Sequence, residues 1–163
     1  MPNQTSQLLQ NRDSVTTTLN NANNGSRGAL QGTYGHVAVT TAEVSTNILR
    51  LLEVPSNARL SQTRLYSTAL GGTAAGNIGF YRNIRDGGAI VGSGNQLGAA
   101  VSLVSAVNGA EQVGTLTPVL RAQPLWQALG FAADPRTTFD LAITLTANVA
   151  TPGSVGAEAT YAQ

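Results

Sequence analysis

Cysteine and lysine are both absent from this 163-residue sequence, and histidine occurs once, as His36. Without cysteine the chain can form no disulfide, no thiolate metal site and no thiol nucleophile. A single histidine also excludes a metal site built on two imidazoles. His36 falls in a predicted strand, where we interpret it as a packing or surface residue. Stability must then come from packing and assembly, and we predict no cofactor and no metal.

Charge is also scarce, since charged residues make up 10% of the chain against about 25% in typical soluble domains. Nine arginines and eight acidic residues leave a formal net charge of +1, which gives no basic cluster for nucleic acid or for an anionic membrane. A lightly charged surface is poorly soluble, so we expect other chains to cover much of it. Arginine as the only cation fits such contacts, although codon bias in a GC-rich genome is the simpler explanation.

Long apolar runs are missing as well. No run approaches the roughly 18 residues that a membrane-spanning helix needs. The first four residues, Met-Pro-Asn-Gln, carry neither the positive charge nor the apolar stretch of a signal peptide. We therefore expect synthesis in a cytoplasm and no membrane partner.

Residues 1–33 are rich in asparagine, glutamine, threonine and serine. Residues 20–25, Asn-Asn-Ala-Asn-Asn-Gly, favour turns over any helix or central strand. We predict an extended N-terminal arm with one helical turn near Leu8, and simple disorder is the alternative. Leu8, Leu9 and Leu19 would be its apolar anchors on another chain.

The rest of the chain, residues 34–163, reads as short strands between glycine-rich turns. The clearest strand is 137–149, where alternate residues form one apolar face: Phe139, Leu141, Ile143, Leu145, Ala147 and Val149. Residues 155–161 repeat this period after a turn, which predicts a C-terminal hairpin. Residues 97–107 fit either a helical turn or a strand, whereas 124–130 predict a short helix that starts at proline and stops at glycine.

These patterns predict an all-β fold of seven or eight strands with one short helix. A β-sandwich is the expected architecture, with a jelly roll as the first choice. No long helical pattern separates the strands, so a parallel α/β sheet is not expected. The chain should hold one sandwich domain, 34–163, preceded by the arm, 1–33.

Acidic residues are the remaining source of catalytic chemistry. Asp86, Glu111, Asp134 and Asp140 lie in or near predicted turns, where two carboxylates could form a glycosidase pair. However, Asp86 stands before two glycines and Asp134 before a proline, which are common positions for a turn aspartate. We therefore predict no catalytic residue and no enzymatic activity.

Three segments together resemble a family of phage virion proteins known as minor capsid, decoration or cement proteins. They are residues 48–60, which contain the corner Val-Pro-Ser-Asn-Ala; residues 64–71 followed by 77–81; and residues 124–135 leading into the strand 139–145. The resemblance covers roughly residues 36–161 by pattern, and the arm lies outside it. It implies a jelly-roll-like sandwich that binds the outside of a finished capsid and strengthens it, with no catalytic residues.

On this resemblance we expect the chain to decorate the capsid exterior across the seams between capsomers. Its partners would be the major capsid protein and itself, as a dimer or trimer. Four arginines interrupt otherwise apolar strands and are the predicted interface residues: Arg50, Arg59, Arg64 and Arg82. The alternatives are a head–tail connector or tail component, or a receptor- or glycan-binding sandwich with loop aromatics at Tyr34, Trp126 and Phe131.

Overall fold

The computed structural model of the protein describes residues 30–112 and 117–163. These residues form eight strands: β1 (Gln31–Val39), β2 (Ile48–Pro55), β3 (Arg59–Ser67), β4 (Ala75–Arg82), β5 (Gly98–Ser102), β6 (Val107–Glu111), β7 (Thr138–Leu145) and β8 (Gly153–Ala162). The strands build two antiparallel sheets of four. The first sheet has the order β1-β8-β3-β6 and the second has the order β2-β7-β4-β5. The predicted all-β sandwich is confirmed.

The apolar alternation of β7 explains how the two sheets meet. Phe139, Leu141, Ile143 and Leu145 are all buried, and they face the inward side chains of the first sheet, such as Leu65. Each large apolar side chain buried in this way stabilises the fold by about 1.5–3 kcal/mol. The strand ends four residues before the predicted end at Val149, just after the Thr146 amide donates to the Ala75 carbonyl of β4 at 2.8 Å.

The predicted C-terminal hairpin is wrong. β7 pairs with β2 and β4 in the second sheet, whereas β8 pairs with β1 and β3 in the first. Residues 146–152 therefore cross from one sheet to the other. Alternation shows only that a strand has one buried face, and both strands bury theirs in the same core.

The predicted helix at 124–130 is confirmed as α2 (Leu125–Ala128), and a further short helix that sequence reasoning did not find, α1 (Thr117–Ala122), precedes it. The Leu125 and Trp126 amides donate to the carbonyls of Ala58 and Ser56, at 2.8 and 2.9 Å. These two bonds dock α2 on the corner between β2 and β3. The ambiguous segment is a strand, β5, rather than a helix.

β1 begins at Gln31, so the boundary set at residues 33 and 34 falls inside this strand. Gln31, Gly32 and Thr33 already pair with Tyr161, Thr160 and Ala159 of β8. Tyr34 accordingly lies in a strand and not in a loop. Residues 1–29 lie outside the described residues, and the expected arm stays a prediction.

Candidate interaction surfaces

The outer face of the second sheet is covered by the connection between β4 and β5, residues 83–97, which we call the covering loop. Gly79 lies under it, and a Cβ at this position would overlap the Gly94 carbonyl and the Gln96 side chain. Gln96 accepts a hydrogen bond from the Phe80 amide at 3.2 Å and donates to the Val91 carbonyl. Tyr81 points outward from β4 and is nevertheless buried. The covering loop therefore buries the part of this face around Gly79 and Tyr81.

An ion pair joins Arg50 of β2 to Asp140 of β7, and these two side chains bind the covering loop through Gly88 and Asn83. The Arg50 guanidinium also donates to the carbonyls of Gly88, at 2.7 Å, and Arg82, at 3.1 Å. It lies 5.4 Å from the centre of the Tyr81 ring, within the range of a cation–π contact. The side chains of Arg50 and Asp140 are 21% and 7% exposed. The Arg50 guanidinium therefore forms its hydrogen bonds within the chain.

The environment of Asp140 affects its ionisation in two opposing ways. Burial raises the pKa of the Asp140 carboxyl, because the charged form loses water. The hydrogen bond and the charge of Arg50, together with a bond from Asn83 at 3.2 Å, act in the opposite direction. Burial is the largest of these effects and the charge of Glu53 adds to it, so the pKa of Asp140 lies above its ordinary value.

A polar cleft of about 500 Å³ opens at one end of the sandwich, where the β2–β3 corner, the start of the covering loop and the start of β7 meet. Each of its three carboxylates accepts a hydroxyl bond: Glu53 from Thr138 at 3.1 Å, Asp86 from Thr137 at 2.5 Å and Asp134 from Ser56 at 2.5 Å. Arg85 and Arg136 also line it. The cleft therefore holds charges of both signs, and its carboxylates are already bonded.

Of the four acids considered as a glycosidase pair, two lie in the same cleft. Asp86 and Asp134 line the cleft, whereas Glu111 binds Arg121 at 2.9 Å and Asp140 binds Arg50. The Ser56 hydroxyl and the Arg136 amide lower the pKa of Asp134, which is the opposite of what a general acid needs. Within residues 30–112 and 117–163, no three acidic or histidine side chains are grouped to hold a metal ion. In the same part of the chain, no helix is long and apolar enough to cross a membrane.

The outer face of the first sheet, which we call the open face, carries an exposed aromatic group. Tyr34, His36 and Tyr66 all point outward, and Tyr34 is 60% exposed. The Tyr34 ring centre lies 5.9 Å from that of His36 and 6.1 Å from that of Tyr66, with the two tyrosines edge to face. Gly156 lies between His36 and Tyr66 in the strand register. The open face is therefore a polar and aromatic surface, on which the Tyr34 hydroxyl lies over Gly156.

Charged residues form a row across the same face. In the cross-strand register Tyr34 stands beside Glu158, Glu158 beside Arg64, and Arg64 beside Glu111. The Tyr66 hydroxyl donates to Oε2 of Glu158 at 3.0 Å. Arg64 is exposed and Glu158 is half-buried. This row places one cation between two carboxylates at the middle of the sheet.

The four arginines predicted from the sequence therefore lie in different settings. Arg50 lies below the covering loop and donates to the backbone carbonyl of Arg82, whereas the Arg82 side chain is exposed and its guanidinium lies 5.1 Å from the centre of the Phe131 ring. Arg59 is exposed at the start of β3, and Arg64 lies on the open face. They form no single patch. The predicted arm anchors Leu8, Leu9 and Leu19 lie outside the described residues.

Sequence reasoning missed Tyr66 and Glu158 as neighbours of Arg64. The alternation of β8 places Glu158 on an outward face, which is a signal in the sequence. In β3 a register shift between Leu60 and Gln62 interrupts the alternation, so Tyr66 lies on the face opposite to that of Leu60. Their proximity depends on the pairing of residues about 90 positions apart, and nothing local in the chain specifies it.

No family model and no curated protein matches the sequence. Two solved structures share its fold. One is a chain of the cyanophage Pam1 capsid asymmetric unit, with a TM-score of 0.56, 20% identity and coverage of 83% of this chain and 85% of that chain. The other is a chain of the capsid of Ralstonia phage GP4, with a TM-score of 0.60, 16% identity and coverage of 82% and 84%. At these identities the likeness shows the fold, an all-β sandwich found in both phage capsids.

Proposed function

We propose that the protein is a structural component of a phage virion that decorates the capsid exterior and stabilises it across the seams between capsomers. The observation that carries this proposal is the fold shared with chains from two phage capsids over more than four-fifths of each chain. The likeness therefore extends over most of this chain and most of each of the other two. The segments that resemble decoration proteins agree with it.

We also infer that the sandwich is a jelly roll. The strand order is nested, because β8 returns beside β1 in the first sheet and β7 returns beside β2 in the second. Eight strands in two sheets with such returning connections are the arrangement of jelly rolls, which are frequent in viral capsid domains.

The proposed partners are the major capsid protein and further copies of this chain. Decoration adds buried contact area between subunits, and weak contacts repeated over a shell act together. The low charge of the chain reduces the water that must be removed from such contacts. The N-terminal arm, with Leu8, Leu9 and Leu19, would order itself on a neighbouring subunit. The proposed role is structural and requires no catalytic site.

The test uses capsids of the parent phage prepared without this protein, to which the purified full chain is added. We expect saturable binding at a fixed number of copies per capsid and a rise in the capsid melting temperature. Capsids that bind no protein, or bind it without gaining heat resistance, would refute the stabilising role. Quantification of virions addresses the alternative, because a copy number that fits only one ring of subunits would place the protein in a connector or tail.

A further inference from the structure

We propose that the open face binds the open face of a second copy, around a two-fold axis that runs along the strands between β8 and β3. The inference deepens the self-association proposed above by naming its surface, and it does not depend on capsid binding. Symmetric pairing of identical patches is the commonest route to a homodimer. It requires a patch that is complementary to itself.

The charged row on this face has that property. Rotation about the proposed axis exchanges the positions of β8 and β3, so Glu158 of each copy faces Arg64 of the other. Two reciprocal ion pairs then form next to the axis, where the twist of the sheets displaces residues least. Glu158 uses Oε2 for the Tyr66 hydroxyl, and Oε1 can accept from the guanidinium of the second copy.

The neighbouring row adds polar and aromatic groups to the contact. It runs from His36 through Gly156 and Tyr66 to Asn108. The Tyr34 hydroxyl lies over Gly156 of its own chain, so the same rotation brings Tyr66 of one copy against Tyr34 of the other. On the other side, His36 faces Asn108, and both are polar and exposed. Tyrosine, glycine and asparagine are common in adaptable protein contacts, and tyrosine and arginine are enriched in protein interfaces.

Charge also favours a second copy over a strongly charged partner. Arg64 and Arg121 balance Glu158 and Glu111 on and beside this face, and the whole chain carries only +1. Two copies therefore approach each other with little repulsion, whereas an acidic or basic partner would find no net charge of opposite sign.

The size of the face sets the strength of the contact. Four strands about 4.8 Å apart and up to roughly nine residues long cover about 500 Å². Stable complexes usually bury about 800 Å² per partner. We therefore expect a weak dimer that forms at high protein concentration, as on a crowded capsid, and dissociates on dilution.

The test is sedimentation equilibrium of the full chain and four variants over a wide concentration range. R64E and E158R each place like charges opposite each other in the dimer, so each should raise the dissociation constant at least about tenfold. The double variant R64E/E158R should restore dimerisation. An equimolar mixture of the two single variants should also dimerise, because all-acidic and all-basic copies then face each other. R85E, an equal charge change at an exposed residue of the covering loop, should behave as wild type.

The mixture shows whether the two substitutions act across the dimer interface or within one chain. If they act within one chain, mixing R64E with E158R cannot restore dimerisation. A wild-type chain that remains monomeric at the highest concentration would overturn both the surface and the self-association. Dimerisation that persists unchanged in R64E and E158R would overturn the surface and leave self-association standing. A monomeric chain whose R64E variant loses capsid binding would assign the open face to the capsid instead. Capsid binding by every variant would leave the proposed virion function intact in each case.

Discussion

The two outer faces of the sandwich use the same kinds of residue in opposite ways. On the second sheet, Arg50 and Asp140 bind each other and hold the covering loop, which buries Tyr81. On the first sheet, Arg64 stands beside Glu158 and Tyr34 remains exposed. An arginine next to an acid in a strand thus indicates either an internal tie or an available contact. The presence or absence of a covering segment decides between them.

The largest expected effect comes from Gly79→Ala, which lifts the covering loop. The new Cβ would overlap the Gly94 carbonyl and Gln96, and the Phe80 amide would lose its acceptor. Overpacking and a lost buried hydrogen bond together should lower the free energy of unfolding by about 4 kcal/mol. Chemical denaturation measures this loss, and hydrogen exchange should show faster opening of residues 83–97.

Gly32→Ala is the matched change on the open face. A Cβ at Gly32 meets nothing within 4 Å, and alanine loses less backbone entropy than glycine, so we expect a gain of about 0.5 kcal/mol. Equal destabilisation by the two substitutions would show that covering does not distinguish the faces.

The next effect compares two acids. Asp140→Ala leaves the Arg50 guanidinium without its carboxylate below the covering loop, and should cost about 3 kcal/mol. Glu158→Ala removes one hydroxyl bond from a half-buried site and should cost about 1 kcal/mol. Thermal and denaturant unfolding give both values. A larger loss of unfolding free energy for Glu158→Ala than for Asp140→Ala would contradict this comparison. It would show that the acid on the open face contributes more to stability than the acid below the covering loop.

These contrasts show where sequence reasoning succeeds. The alternation of β7 predicts its buried face because a period of two reports burial directly. The helix α2 is predictable because proline and glycine mark its ends. Both signals are local, and each depends on fewer than about twenty neighbouring residues.

The missing information is non-local. Arg50 and Asp140 are 90 positions apart, and no local pattern says that they meet, so Arg50 is predicted as an interface residue. For the same reason, the sequence does not predict that β7 and β8 lie in different sheets. Arg64 is predicted as an interface residue, like Arg50, because it interrupts an apolar strand. Its neighbours Tyr66 and Glu158 require knowledge of the register.

A smaller effect concerns the edge of the open sheet, where Gln31–Thr33 pair with β8. Deletion of residues 1–29 should leave the free energy of unfolding nearly unchanged, because no described strand is cut. Deletion of residues 1–33 should cost about 2 kcal/mol more, since it removes three ladder positions. Equal stability of the two truncated proteins would show that the start of β1 contributes nothing. A chain that fails to fold without residues 1–29 would make the arm part of the core.

The smallest expected effect is on the pH dependence of stability. We expect the contribution of Asp140, below the covering loop, to fall with rising pH, and that of Asp134, in the open cleft, to increase. Burial raises the pKa of Asp140, so the folded state holds its proton more tightly than the unfolded one. Stability must then fall as the pH rises through the range above about 3.9. The pKa of Asp134 in the open cleft is lowered by Ser56 and the Arg136 amide, so its contribution is present above about pH 3.9 and is lost as the pH falls below it. Denaturant unfolding at several pH values between about 2 and 6 compares wild type with Asp140→Asn and Asp134→Asn. The advantage of wild type over Asp140→Asn should shrink with rising pH, and its advantage over Asp134→Asn should grow. Slopes of the same sign in both comparisons would show that the covering loop does not control the ionisation of Asp140.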